Sequence, residues 1–481
     1  VNSTKHNYIY NLIFTIVNLI FPILTFPYAA RMLGPVGIGK IQFIISFAQY
    51  FALVAALGIP VYGIREIAKT QNDKENLSKT FSELVIIYVL TSALSSIIYI
   101  IIVSSIGMFK PDINAYYAAG GIVLLGFCSI DWFYAGVEEF KLIALRSVFV
   151  KIVAIILLYA FVKTAHDVYV YLLISIFALI GNNIISILLV WSRVKIVLRD
   201  LNFKRHFKPL IFIFSTTLAS SMYTLLDVVM LGFLSNDRSV GYYSAGVKLA
   251  KVTIPFVTSL GAVVIPKISF SVNNKDFNSF YKILGKSFDF IIFISVPIAF
   301  GLFFLSKETV ILFSGAEFTS AIPVMQVLSI LPFVIGLGFF FGIQILIPAS
   351  KDKEMLKSVS IGMAVSLSLN FLLIPYLKEV GAAYANVISE VFVTLSYIYF
   401  VRKSFQFKIE YHLIIKAIIS SILFIPIIYL TERLIQQNLI IVIVSVILCA
   451  ITYALMQFYI FKNQISLNIY QFLIKRLKIT Q

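Results

Sequence analysis

Arg193-Val194-Lys195-Ile196-Val197-Leu198-Arg199-Asp200-Leu201-Asn202-Phe203-Lys204-Arg205-His206-Phe207-Lys208 places six cations in sixteen residues, between two long apolar runs. A helix needs about 20 apolar residues to cross a bilayer core. Runs of that kind recur on both sides of this connection. They fall at roughly 8–31, 38–62, 81–105, 114–137, 142–162 and 168–192 before it. After it they fall at 209–234, 240–266, 283–305, 320–349, 356–377, 380–401, 412–430 and 438–461. The connection therefore separates six predicted membrane helices from eight. The run at 320–349 is longer than one crossing and must tilt, kink or begin outside the hydrocarbon.

Composition agrees. The chain has 481 residues, 60% of them hydrophobic and 13% charged, against about 45–50% apolar and 25% charged in soluble domains. A soluble protein is excluded, and fourteen crossings leave only about 12 residues per connection or tail, too few for a separate soluble domain. The first run follows a short polar start, Val1 to His6, with no small-residue cleavage site, and reads as a retained helix.

The net charge is +17, from 39 Lys and Arg against 22 Asp and Glu. Assigning the connections alternately to two sides puts 27 cations on the side of both termini and 8 on the other. By the positive-inside rule both termini are then cytoplasmic, and the basic balance reflects topology rather than nucleic-acid binding. Met32-Leu33-Gly34 with Val36-Gly37 resembles Met230-Leu231-Gly232 with Val240-Gly241, each joining a first helix to a second. The expected fold is an all-α polytopic membrane protein of about fourteen helices. Residues 1–200 and 201–408 form six-helix bundles related by a pseudo-two-fold axis, and 409–481 adds two helices and a cytoplasmic tail. Paired bundles of this kind point to alternating access.

Gly34-Pro35-Val36-Gly37-Ile38-Gly39-Lys40-Ile41 nearly matches a P-loop, but Ile41 replaces the required Ser or Thr and no strand precedes it. It reads as a tight exterior turn. Cys128 and Cys449 lie in apolar runs without a paired spacing, and His6, His166, His206 and His412 are scattered, so no metal or cofactor is expected. The longest exterior connection, Ser306 to Thr319, holds only Glu308 and Glu317, which argues against a membrane-bound polymerase or glycosyltransferase.

Ionisable residues inside the spans carry more information, because a lone charge there is costly and usually faces a partner or a wet cavity. These are Asp131, Asp227, Glu390, Lys151, Lys248 and Lys251. Hairpin geometry sets Asp131 near Arg146 and Lys151, and Asp227 near Lys248. Structural clips are the alternative reading for both, and Trp132 beside Asp131 is a candidate interfacial anchor. Glu390 is either a proton or sodium site or a buried, hydrogen-bonded acid. With Arg31 and Arg65 at helix ends, the cations outnumber the acids, which favours an anionic substrate such as a diphosphate over a cationic drug. Tyr28, Gln42, Gln49, Tyr50 and Tyr62 could meet sugar hydroxyls or simply bond neighbouring helices.

Four stretches then resemble the polysaccharide repeat-unit (O-antigen) flippases of the Wzx type, in the superfamily of multidrug, oligosaccharidyl-lipid and polysaccharide exporters, which includes the MATE drug exporters and the lipid II flippases. They are Phe26-Pro27-Tyr28-Ala29-Ala30-Arg31-Met32-Leu33-Gly34, Leu57-Gly58-Ile59-Pro60-Val61-Tyr62-Gly63-Ile64-Arg65-Glu66, Asp131-Trp132-Phe133-Tyr134-Ala135-Gly136, and Asp227-Val228-Val229-Met230-Leu231-Gly232 leading to Val240-Gly241. The resemblance implies translocation of an undecaprenyl-diphosphate-linked glycan across the bacterial cytoplasmic (inner) membrane, without catalysis and without an ATPase. It matches Arg31 and Arg65 to the family's arginines, Asp131 and Glu138 to its fourth-helix motif, and Asp227 with Lys248 to its seventh- and eighth-helix motif; together with the charge pattern this makes Arg31, Arg65, Arg146, Lys151, Lys248, Lys251, Tyr28 and Gln49 the candidate substrate contacts. Asp131, Asp227 and Glu390 would serve ion coupling or gating, with H+ and Na+ both open. Membrane lipids, a polysaccharide polymerase and a chain-length regulator are the implied partners. Many members are described with twelve spans, so fourteen keeps lipid II transport open as an alternative.

Overall fold

The computed structural model describes residues 2–407, 409–463, 465 and 467, with side chains described at all of these except 2–5, 8, 216 and 219–224. Lys408, Lys475, Arg476 and Lys478, counted in the charge split, lie outside the described residues. The chain is helical throughout, with no strand among the described residues. It divides into two compact units, Val1–Gly241 and Tyr242–Gln481.

The first unit contains α1 (Asn2–Ala56), α2 (Ile59–Thr70), α3 (Lys74–Ser105), α4 (Ile113–Leu124), α5 (Asp131–Gly136), α6 (Phe140–Phe161), α7 (Val168–Val190) and α8 (Lys204–Leu234). α9 (Asp237–Val252) runs across the boundary. The second unit continues with α10 (Ile254–Thr258), α11 (Gly261–Asn273), α12 (Phe277–Phe304), α13 (Ser306–Ser314), α14 (Ala321–Leu328) and α15 (Leu331–Gly338). It ends with α16 (Asp352–Ser404), α17 (Tyr411–Ile422), α18 (Phe424–Leu434) and α19 (Asn438–Leu455). α8, which the sequence division at 200 assigns to the second bundle, packs against α1 and α2.

Among the described residues ten helices are long and apolar enough to cross a membrane, or eleven with the bent pair Asp237–Thr258 and Gly261–Asn273. That is an all-α, multi-pass membrane protein. The count falls short of fourteen partly because two segments run on past one crossing. Ile9–Thr70 has 62 residues, about 93 Å at 1.5 Å per residue against a core of about 30 Å. Its helical geometry breaks at Gly34 (φ 65°, ψ 179°). Pro35 has no N–H to donate to the preceding helical turn, and glycine tolerates the positive φ that redirects the chain. Asp352–Ser404 breaks in the same way at Lys378 (φ 49°, ψ −126°), three residues after Pro375.

α3 shows how the sequence faces lipid. Leu90, Leu94, Ile97 and Ile101 are exposed along one stripe, while Ser92, Ser95, Ser96 and Tyr99 are buried on the other. Small polar residues at helix contacts allow close approach, and the large aliphatic ones meet the apolar solvent. Outside the spans, the α6–α7 turn is tied by Asp167, which accepts from the backbone N–H groups of Lys163 (2.9 Å) and Thr164 (2.7 Å). Those donors hold its carboxyl below the usual range.

Trp132 is not an interfacial anchor. It is 2% exposed, stacks on Phe81 with ring centres 5.8 Å apart and closes on Gly63, where a Cβ would lie 2.5 Å from the indole. With Phe133 and Tyr134 it belongs to a hydrophobic core of the first unit, so burial of the whole ring outweighs an interfacial position.

Candidate functional site

Inside that core, Asp131 opens α5 with its carboxylate held on both oxygens. Oδ1 accepts from Arg146 Nη2 at 3.0 Å and from Ser186 Oγ at 3.2 Å, and Oδ2 accepts from Asn182 Nδ2 at 3.2 Å. Arg146 is 5% exposed. It also donates to its own helix at Leu142 O (3.0 Å) and to Ser186 Oγ, and lies 4.4 Å from the centre of the Tyr134 ring. The Tyr134 hydroxyl completes the cluster by donating to Ser186 O at 2.9 Å. The guanidinium is buried while Asp131 keeps 31% of its side chain exposed, so the pair is only partly desolvated and its hydrogen bonds offset that cost.

The sequence offered Asp131 two partners, and the structure selects Arg146. Five residues along one helix turn a side chain by about 140°, so Lys151 points to α1 instead. Its ammonium bonds Asn18 Oδ1 and sits 5.6 Å from the centre of the Phe21 ring. Further along the same seam Tyr28 donates to Val162 O at 2.8 Å and packs on Tyr159 at 4.3 Å. Arg31, one turn on, is exposed and donates to Pro27 O at 3.3 Å. The residues from Asn18 to Arg31 span about 20 Å of helix. The cations on this seam are thus strung along α1 rather than gathered at one point. Gln49 is half-buried on α1, beside Tyr50, whose buried hydroxyl has no partner among the described residues, and Arg65 is exposed on α2.

Asp227, on α8 of the first unit, is fully buried. In the second unit Lys248 and Lys251 are half-buried one turn apart on α9, and Glu390 is buried on α16. No group of three or more His, Cys, Asp or Glu able to hold a metal is found among the described residues.

Two features were not anticipated. The first is a polar network joining α2, α3 and α8. The buried Glu83 accepts from His206 Nε2 (2.8 Å), Arg205 Nε (3.1 Å) and the Asn202 backbone N–H (2.7 Å). Glu83 sits within an apolar run and could have been flagged with the other intramembrane acids, but its partners lie more than a hundred positions away. The second is a cavity of about 740 Å³ in the second unit, lined by Phe256, Phe293, Pro297, Gly301, Cys449 and Tyr453 among others. Its walls are almost wholly apolar, so no motif marks them.

The family model described as polysaccharide biosynthesis protein matches residues 4–272. A putative O-antigen transporter of Escherichia coli K12 is 25% identical over 423 residues, covering 84% of this chain and 97% of that protein. Among solved structures, the lipid II flippase MurJ in an inward closed conformation superposes with a TM-score of 0.74 at 17% identity, covering 94% of this chain and 99% of that one. An inward-facing MATE multidrug resistance transporter gives 0.63 at 14% identity, covering 81% and 94%. The fold is therefore shared with the MurJ and MATE transporters, and the chain belongs to the polysaccharide biosynthesis protein family.

Proposed function

We propose that the protein is a flippase for undecaprenyl-diphosphate-linked oligosaccharide repeat units. It moves them from the inner to the outer leaflet of the bacterial cytoplasmic membrane for assembly into O-antigen or a related surface glycan. The observation that carries this reading is the sign of the intramembrane charge. Lys151 is half-buried on α6 and Lys248 and Lys251 on α9, while Arg31 is exposed near the Gly34 break and Arg65 is exposed on α2. Cations so placed attract a diphosphate as it leaves water and repel a cationic drug.

Counting Ile9–Thr70 and Asp352–Ser404 as two crossings each, adding the bent pair and α8, brings ten spans to fourteen. On that count both termini share the basic, cytoplasmic side, and 1–200, 201–408 and 409–481 are two six-helix bundles and an appended helix pair. The diphosphate docks on the cations, sugars follow along polar faces that include Tyr28 and Gln49, and the prenyl chain stays in apolar surroundings. The 740 Å³ cavity of the second unit has the chemistry for that chain. Asp131 with Arg146 acts as a charge-neutral fixture, and Asp227 and Glu390 are the groups for ion coupling or gating, with H+ or Na+. A polymerase and a chain-length regulator would act on the product.

Mass spectrometry of lipid extracts from cells with and without the gene tests the reading. Deletion should accumulate the lipid-linked repeat unit and strip the surface glycan. Accumulation of lipid II would identify a peptidoglycan-precursor flippase instead. An unchanged lipid profile with new sensitivity to cationic dyes would overturn the assignment in favour of a drug exporter.

A further inference from the structure

The second unit carries another cavity, of about 720 Å³, among the first turns of α12, the start of α17 and the turn that follows Ile460. Four lysines line it, Lys282, Lys286, Lys416 and Lys462, against two acids, Asp289 and Glu410. Neither acid is spent on a lysine. Asp289 accepts from the side-chain amide of Asn463 at 3.0 Å, and Glu410 lies 3.6 Å from His412 Nε2. Among the described residues none of the four ammonium groups forms an ion pair.

The walls are built rather than incidental. Lys282 and Lys286 stand four apart on α12 and so leave the same face. Asn463 ties the turn to α12 and accepts from the Ile465 backbone N–H at 2.8 Å, which fixes Lys462 at the rim. Glu410, His412 and Leu413 bring the start of α17 to the cavity, and no side chain caps that helix end. Its first-turn N–H groups at Tyr411 and Leu413 bond the carbonyls of Ile409 and Glu410, so the positive potential comes chiefly from the lysines. Four like charges around one cavity repel one another, and an anion among them relieves the repulsion.

The surroundings say where the anion comes from. Tyr411, Ile415, Tyr459 and Ile460, next to the lining residues in the chain, are 56% to 68% exposed apolar or aromatic side chains. Tyrosines beside lysines at the ends of apolar helices mark the headgroup level of a membrane, where chains can lie on the aliphatic surface while a phosphate reaches the cations. We infer that this cavity binds the phosphate of a membrane lipid headgroup, held by Lys282, Lys286, Lys416 and Lys462. The site stands apart from the transport reading and is tested without transport.

The test is native mass spectrometry of the full-length protein in detergent, titrated separately with phosphatidylglycerol, undecaprenyl diphosphate, phosphatidylcholine and inorganic pyrophosphate. The expected result is retention of an anionic lipid over phosphatidylcholine. Lys286→Gln with Lys416→Gln should weaken it about twenty-fivefold, at roughly fivefold per lysine, while Lys286→Arg with Lys416→Arg retains it. Preference for undecaprenyl diphosphate over phosphatidylglycerol would make the ligand a substrate headgroup, and the reverse an ordinary membrane lipid. Equal retention of phosphatidylcholine, retention unchanged by the glutamine pair in a protein with wild-type melting temperature, or binding of pyrophosphate as tight as that of either lipid would overturn the inference.

Discussion

Glu83 and His206, 123 positions apart, meet at 2.8 Å with no exposed side-chain surface on either. A carboxylate can only accept, so the bond places the imidazole proton on Nε2. Nδ1 is then free to accept from the Tyr62 hydroxyl, also at 2.8 Å. Arg205 adds an ion pair to the same carboxylate and a bond to Thr80 Oγ1 at 3.1 Å. The start of α8, which follows the most basic connection of the chain, is thereby clamped to α2 and α3.

Substituting Glu83→Gln leaves Arg205 and His206 beside a neutral group. Glu83 is buried but Arg205 is 43% exposed and can turn to solvent, so losing the charge-assisted bonds should cost about 1.5–3 kcal/mol, read as a clear fall in melting temperature in detergent. Tyr62→Phe removes a single hydrogen bond and should cost only about 1 kcal/mol. Comparable losses in the two variants would show that the carboxylate does not organise the network.

Asp131 and Arg146 allow structure and transport to be separated. Asp131→Asn strands a buried guanidinium and should destabilise by about 3–5 kcal/mol, whereas Asp131→Asn combined with Arg146→Gln removes both charges and should recover most of it. If the pair is only a fixture, surface-glycan output recovers along with the melting temperature. A double variant that is stable yet inactive would instead assign the charges to the translocation step. Arg146→Lys should not substitute, because one ammonium cannot reach Asp131, Ser186 and Leu142 O together as the planar fork does.

Gly39 and Gly241 bring two chain segments together backbone to backbone. A Cβ on Gly39 would lie 1.6 Å from the Asp237 carbonyl oxygen, and one on Gly241 would lie 2.0 Å from that of Pro35. Backbone cannot rotate aside as a side chain can. Alanine at either position should force the segments apart at the usual overpacking cost of about 1–3 kcal/mol, depleting the closely packed arrangement about tenfold or more. Complementation of a deletion strain by Gly39→Ala and Gly241→Ala reads this out, and full glycan output from both variants would show that the packed arrangement is dispensable.

What could be read in the sequence followed from local physics. Apolar length marked an all-α, multi-pass membrane protein, Gly34-Pro35 marked the first reversal, and hairpin depth set Asp131 between Arg146 and Lys151, of which the fold selects Arg146. Trp132 was misjudged because an indole beside a charge looks the same at a membrane surface and in an aromatic core. Only the fold supplies Phe81 and Gly63 to cover it. His206 was passed over as one of four scattered histidines, since its partners Tyr62 and Glu83 come from distant helices. The apolar cavity was hidden for a different reason. Phe293, Gly301 and Ala450 have the same composition as any lipid-facing surface, and concavity is a property of three-dimensional packing alone.

That cavity yields the sharpest test of how the lipid chain is accommodated. Gly301 lines it, and a Cβ there would meet nothing within 4 Å, so a large side chain can enter without straining α12. Gly301→Trp should project an indole into the cavity of about 740 Å³ and obstruct part of it, while leaving the melting temperature near that of the wild type. Binding of a long-chain prenyl diphosphate should weaken about tenfold or more, because each methylene kept out of an apolar site forfeits about 0.8 kcal/mol. A short-chain prenyl diphosphate, which depends mainly on the phosphates, should bind nearly as before. Equal losses for both chain lengths would mean that the substitution acts on the headgroup or the fold, and equal retention would mean that the prenyl chain lies elsewhere.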